Sequence, residues 1–246
     1  MGDRSIRAYW LGTVPYREAW DLQRSLVAAV RAGDQPDSLL LLEHPHVFTI
    51  GRRGDGSTLL WSPEECARRG VDVVWTDRGG DATYHGPGQL TGYPILDLER
   101  LGSDILRHIR DLERSLIAYL VTLGIEPEAG GEGLTGVWTA GAKIAAIGVK
   151  LNKHVSSHGF ALNLMTDLSI FNAGIVPCGL AGKRATSVLE QAGVRVPVSE
   201  AAKRYPAHLA AVLGATIEWA DPAALRDLPP APPEPSAPAS ALLRVL

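Results

Sequence analysis

Apolar residues recur along this chain at two spacings, one suited to strands and one to helices, and the two alternate. Ile6–Leu11 predicts a first strand. Pro15 stands where a proline opens a helix, and Leu22, Leu26, Val27 and Val30 follow at helical spacing. Leu39–Leu42 and Val47–Ile50 predict short buried strands separated by Glu43-His44-Pro45-His46. A short helix is expected from about Pro63, and Val71–Thr76 and Tyr93–Leu98 are further strands. Ser103 or Asp104 can cap a long helix whose face carries Ile105, Ile109, Leu112, Leu116 and Leu120. The texture then turns β-like over Val137–Thr139, Ile144–Leu151 and Val155–Leu164, with a hairpin turn between Lys150 and Lys153. Ser199 is expected to cap a helix through Leu213, and Thr216–Trp219 to close the sheet. The pattern predicts a mixed α/β layer fold, with residues 1–227 as a single catalytic domain. Prolines crowd the chain after Asp227, so residues 228–246 are expected to form a mobile tail.

One stretch breaks both periods. Residues 78–89 read Arg-Gly-Gly-Asp-Ala-Thr-Tyr-His-Gly-Pro-Gly-Gln, with four glycines and a proline. Such a run is poor helix and poor strand interior. Backbone without side chains can approach a ligand closely, so the run is expected to be a binding loop, bracketed by the fixed charge of Arg78 and the imidazole of His85.

Composition narrows the class. A 246-residue chain with 46% hydrophobic residues can bury a sizeable core. A net charge of −3 suggests neither nucleic acid nor a membrane surface as partner. No apolar run is long enough to span a bilayer, and the N-terminus lacks a signal peptide's apolar segment. Two cysteines make no disulfide framework, and a cytoplasmic location is expected.

Some motifs mislead. Residues 131–136 match the dinucleotide fingerprint G-x-G-x-x-G, but Val137-Trp138-Thr139 next to them predicts a strand where the fingerprint requires a helix. No phosphate-binding P-loop sequence occurs, and His44 and His46 lack further metal ligands at a recognisable spacing. Two other segments admit chemistry. In Pro177-Cys178-Gly179 the thiol is either a buried structural residue or a nucleophile. Cys66, beside acidic residues, is expected to be structural. In Gly141-Ala-Lys-Ile-Ala-Ala-Ile-Gly148, Lys143 either reaches solvent from a strand edge or has a partner or a task.

Taken in order, R-G-G-x-x-T-Y-H-G-P-G-Q, G-A-K-I-A-A-I-G, H-G-F-A-L-N and P-C-G resemble the lipoyl (octanoyl) transferase family, as does Glu43–Gly51 near the start. The resemblance runs from about residue 5 to residue 213. It implies a biotin/lipoate protein ligase-like catalytic fold, a mixed sheet flanked by helices, with no cofactor and no metal. It implies transfer of an octanoyl group from octanoyl-acyl carrier protein to one lysine of lipoyl domains, those of 2-oxoacid dehydrogenases and the glycine cleavage H protein. A monomer is expected. By the same resemblance Cys178 is the acyl-accepting cysteine and Lys143 its activating lysine. The acyl pocket is implied to comprise Arg78, Gly79, Gly80, Asp81, Ala82, Thr83, Tyr84 and His85, with Ala146, Ile147, Gly148, Gly159, Phe160 and Ala161.

The chemistry is coherent with that assignment. A thiolate exchanges with a thioester at little energetic cost, and it divides acyl transfer into two steps. Lys143 has two possible forms: a neutral base, or an ammonium that stabilises the thiolate. Backbone N–H groups near Gly79, Gly80 or Gly179 are candidates for the oxyanion. Tyr84, Ile147, Phe160 and Leu162 are candidates for an apolar tunnel, and His85 or His158 for contact with the thioester.

Overall fold

Alternation along one strand sorts the core in two. The computed structural model describes residues 4–131, 134–176, 184–231 and 233. β1 (Ser5–Thr13) leads through helix α1 (Tyr16–Ala32) to β2 (Ser38–Glu43), where Leu39–Leu42 are all fully buried. Leu39 and Leu41 join one apolar cluster and Leu40 and Leu42 another. A strand buried on both faces belongs inside a covered sheet.

After β2 the chain forms β3 (Val47–Ile50), α2 (Pro63–Arg68), β4 (Asp72–Trp75), β5 (Ala82–His85) and β6 (Gln89–Ile95). Then come α3 (Ile105–Val121), β7 (Glu128–Ala129), β8 (Val137–Thr139), β9 (Ala142–Asn152) and β10 (Val155–Asn163). Three helices, α4 (Leu168–Gly174), α5 (Val188–Ala192) and α6 (Val198–Leu213), precede β11 (Thr216–Trp219) and a 3₁₀ turn at Pro222–Leu225.

Eight strands make one mixed sheet in the order β11-β1-β2-β6-β10-β9-β8-β7. β1 runs parallel to β2 and β11, and the remaining pairs are antiparallel. Leu112, Leu116 and Tyr119 of α3 and Tyr205 and Leu209 of α6 cover one face. Leu26, Val27 and Val30 of α1 cover the other. A second sheet, β4-β3-β5, packs Val47 and Val74 against Tyr16 and Trp20 of α1. The mixed sheet flanked by helices is the predicted fold class.

Local signals explain most boundaries. Gly33 closes α1 in the left-handed conformation, φ 84°, where only glycine is unstrained. Asp104, one of the two predicted caps, accepts the Arg107 N–H at 2.8 Å. Ser199 does not cap α6: the helix starts two residues earlier than that cap implies, after Pro197, whose fixed φ suits a helix entry. The glycine-rich run also differs from expectation, because Ala82–His85 is a strand. Its partner β3 pairs Val47 with His85 and Ile50 with Ala82. That pairing comes from outside the run and overrides its low intrinsic propensity. Leu228 also packs on the α1 cluster.

Candidate active site

A cavity of about 320 Å³ opens where the glycine-rich loop of the small sheet meets β9 and β10 of the large one. Register makes its wall. Ala146, Ile147 and Gly148 pair across the β9–β10 ladder with Ala161, Phe160 and Gly159, so the two predicted triplets are cross-strand partners. Gly148 is required by closeness: a Cβ there would stand 2.7 Å from the Gly79 carbonyl oxygen. Gly80 turns the loop at φ 94°. The loop is stitched to the wall by Gly79 N–H donating to the Val149 carbonyl at 3.0 Å, so that amide is not available to an oxyanion.

Arg78 is buried rather than displayed. Its Nε and Nη2 donate to Thr49 Oγ1 at 3.0 and 2.9 Å, and Nη1 donates to the Gly79 carbonyl at 3.0 Å. Asp81 accepts from Thr58 Oγ1 at 3.1 Å and from the Ala82 amide at 2.7 Å. Ala82, Thr83 and His85 line the cavity with Arg78, Gly79, Gly80 and Asp81, but Tyr84 does not. Its ring packs among Phe48 and Phe171, and its hydroxyl pairs with His46 Nδ1 at 2.7 Å. Leu162 also lies away from the cavity, in the core beneath α3 and α6. Phe160 touches the cavity while its ring packs on Tyr205, centroids 4.7 Å apart.

The tautomer of His85 is set by its neighbours. Gln89 Nε2 donates to the Tyr84 carbonyl and to Asn163 Oδ1, which leaves Oε1 to accept from His85 Nδ1 at 2.9 Å. Burial, with His44 and Arg78 nearby, pushes this imidazole well below its ordinary pKa, so it is neutral. Asn163 Nδ2 continues the chain to the Thr186 carbonyl at 2.9 Å.

Lys143 projects from β9 into the cavity wall and is 6% exposed. Its Nζ donates to the Thr135 carbonyl at 3.0 Å and lies 4.9 Å from the centre of the Trp138 ring. A carbonyl dipole and an indole face both complement positive charge. Thr135 is itself held, because the Gly136 amide donates to buried Glu113 Oε1 at 3.0 Å. The Lys143 main chain pairs with residues 184–186: its amide donates to the Arg184 carbonyl at 3.0 Å, and Thr186 N–H donates to its carbonyl at 2.9 Å. Cys178 and Gly179 lie outside the described residues. The segment that carries them departs from Val176, whose amide donates to the Thr58 carbonyl, and returns at Arg184 beside Lys143.

Sequence reasoning missed Tyr16, Tyr93, Thr135 and Phe171, all on the cavity wall. Tyr16 reads as the first turn of an amphipathic helix, and Thr135 lies in the glycine-rich stretch that imitates a dinucleotide fingerprint. Neither carries a local signal. His44 and His46 are structural in their contacts. His44 donates from Nδ1 to the Val14 carbonyl and accepts from the Tyr93 hydroxyl, each at 2.7 Å, and burial pushes it down to about 4. Cys66 is buried in α2, where desolvation and Glu65 raise its thiol. Among the described residues no three His, Cys, Asp or Glu side chains converge on a metal position, and no helix is long and apolar enough to cross a membrane.

A family model describing the lipoyl protein ligase A/B catalytic domain matches residues 15–210. The chain belongs to that family. Its relatives within the lipoyl protein ligase A/B family include an octanoyltransferase of Chloroflexus aggregans, 46% identical over 212 residues that cover 85% of this chain and 95% of the relative. An octanoyltransferase of Rubrobacter xylanophilus is 47% identical, covering 82% and 91%. Octanoyltransferases are acyltransferases. The fold matches a lipoate-protein ligase A bound with ATP, at TM-score 0.72 and 17% identity, covering 88% of this chain and 89% of that one. It also matches a bipartite lipoate protein ligase from Thermoplasma acidophilum described with its E2 lipoyl domain, at TM-score 0.70 and 18% identity, covering 89% and 87%.

Proposed function

We propose that this chain is an octanoyltransferase that works through an acyl-enzyme on Cys178. The Cys178 thiolate attacks the octanoyl thioester on acyl carrier protein, the new C–S bond forms as the bond to the carrier sulfur breaks, and the carrier leaves as a thiolate that takes its proton from water. A lysine amine of a lipoyl domain, of a 2-oxoacid dehydrogenase or of the glycine cleavage H protein, then displaces the thiolate and keeps the acyl group as an amide. Amide formation from a thioester is downhill, so the second step drives the first. Ile147, Gly159 and Ala161 on the paired strands, with the glycine loop opposite, would hold the C8 chain. Each buried methylene contributes about 0.8 kcal/mol to selecting that length.

The observation that carries this reading is Lys143. A buried amine sits on the cavity wall in surroundings that complement an ammonium, and its own main chain holds the return of the cysteine-bearing segment. An ammonium there favours the thiolate. The rival on the same fold activates a free acid with ATP and needs no cysteine. The octanoyltransferase relatives, aligned over nearly their whole length, favour transfer.

Intact-protein mass after brief incubation with octanoyl-loaded carrier tests the reading. The expected result is one octanoyl adduct, absent from Cys178→Ala and discharged by a lipoyl domain. Normal transfer by Cys178→Ala would overturn the covalent route. ATP-dependent transfer of free octanoate without an adduct would move the chain to the ligases.

A further inference from the structure

Strand β10 obeys its alternation except at one residue. Phe160 and Leu162 point into the cluster under α3 and α6, and parity assigns His158 to the same face. His158 instead adopts φ 54°, a left-handed conformation that a non-glycine residue rarely takes inside a strand. The turn brings its ring to the opposite face, 6.2 Å from Trp20 of α1. Its amide is held there by Gln23 Oε1 at 2.8 Å. Strain of this kind persists where the surroundings impose it, and it gathers at functional sites.

The face His158 reaches is polar and already organised. Nε2 donates to Asp77 Oδ1 at 2.7 Å, and Asp77 Oδ2 accepts from Lys150 Nζ at 2.5 Å. Burial works against the Asp77 charge, but the hydrogen bonds from His158 and Lys150 outweigh it and keep the carboxylate ionised. An ionised carboxylate only accepts, so the Nε2 proton is fixed and Nδ1 carries the lone pair. That Nδ1 is buried with no hydrogen-bond partner, and the residue lines the cavity beside Gly159. The charged groups around it are Asp77, Lys150 and Arg78, while Trp20 and Gln23 face it from α1. His85, the other imidazole on the wall, has a neutral glutamine behind it rather than a carboxylate.

While Lys143 is an ammonium, the form its carbonyl and indole partners complement, it has no lone pair for the incoming amine, and the second half-reaction calls for another base. We propose that His158, oriented by Asp77, accepts the proton from the acceptor amine in the second half-reaction. The inference rests on the octanoyltransferase reading. The acceptor ammonium first loses one proton to water. The neutral nitrogen then bonds to the thioester carbon, the C–S bond breaks, the second nitrogen proton passes to His158 Nδ1, and Cys178 leaves as a thiolate. Asp77 supports the imidazolium and fixes its tautomer, which makes it a positioning residue.

Rapid-quench mass spectrometry on the full chain separates the halves: acylation by octanoyl-loaded carrier, then discharge by a lipoyl domain. His158→Gln is expected to acylate within about threefold of wild type and to discharge at least about 100-fold more slowly, the scale of general base catalysis. Asp77→Asn should slow the same step by about tenfold or more and leave acylation in place. Hydroxylamine, unprotonated at neutral pH, should discharge both acyl-enzymes at the wild-type rate, a readout that a merely structural role would not protect. Equal losses in both halves, or no loss in discharge, would overturn the role of His158. Failure of the unsubstituted protein to form any adduct would instead overturn the octanoyltransferase reading.

Discussion

The two faces of the eight-stranded sheet are built from the same strands and differ in kind. Toward α3 and α6 the filling is mostly leucine, isoleucine, valine and alanine, with the rings of Tyr119, Phe160 and Tyr205 among them. Toward α1 and the small sheet, the same strands meet Arg78 bound to Thr49, His158 bound to Asp77, and His85 bound to Gln89. The first face is held mainly by area removed from water; the second adds, beside its own apolar cluster under α1, polar groups that satisfy one another. β10 serves both, and its one departure from alternation, at His158, falls on the polar side. Stability and chemistry are thus separated by side-chain parity rather than by domain.

Substitutions on either face should therefore move different observables. Lys143→Met is expected to slow acylation of Cys178 by at least about 100-fold. It should also cost about 1–3 kcal/mol in thermal melts, because the Thr135 carbonyl loses its Nζ donor. Stopped acylation with unchanged carrier binding would confirm that assignment. Leu116→Ala, wholly on the helical face, should cost about 2–5 kcal/mol in denaturant unfolding while the activity per folded molecule stays the same. Lost activity without lost stability there would break the separation.

Acid sharpens the contrast. His44 on the polar face and His108 in α3 are both pushed down to about 4 by burial. Below an ordinary histidine pKa the unfolded chain takes up protons that the folded chain refuses, so stability falls as pH drops from about 6.5 toward 4. Each histidine contributes up to about 3 kcal/mol to that fall. His108 has no partner for either ring nitrogen, so His108→Leu should remove its share of the slope without penalty. His44→Leu should also flatten the slope, yet cost about 1–3 kcal/mol at neutral pH by stranding the Val14 carbonyl and the Tyr93 hydroxyl. Thermal melts across pH read both. The smallest effect is expected at Asp104→Ala, about 1 kcal/mol from loss of the α3 cap, with activity untouched.

Much of this was legible in the chain. Helical spacing located α1 and α3, short continuous apolar runs located β2 and β3, and β-like texture with a hairpin turn located β9 and β10. Ordered motifs named Lys143, the glycine loop and the two triplets. What stayed hidden were features with a distant cause. Tyr84 stands within the motif, but pairing with β3 turns its ring toward Phe48. Arg78 looked like a displayed charge, and Thr49 buries it. The short α4 and α5 carry too few residues to show a period.

By itself the sequence determined the longer helices and most of the strands, and which residue types the site contains, because periodicity and capping act within a few residues. Tertiary structure decided that Gly148 lies against Gly79, that Thr186 pairs with Lys143, and that His158 turns against its own strand toward Asp77. Those partners lie far apart along the chain. They are selected by burial and hydrogen-bond satisfaction summed over the whole fold, which leaves no mark on the local pattern.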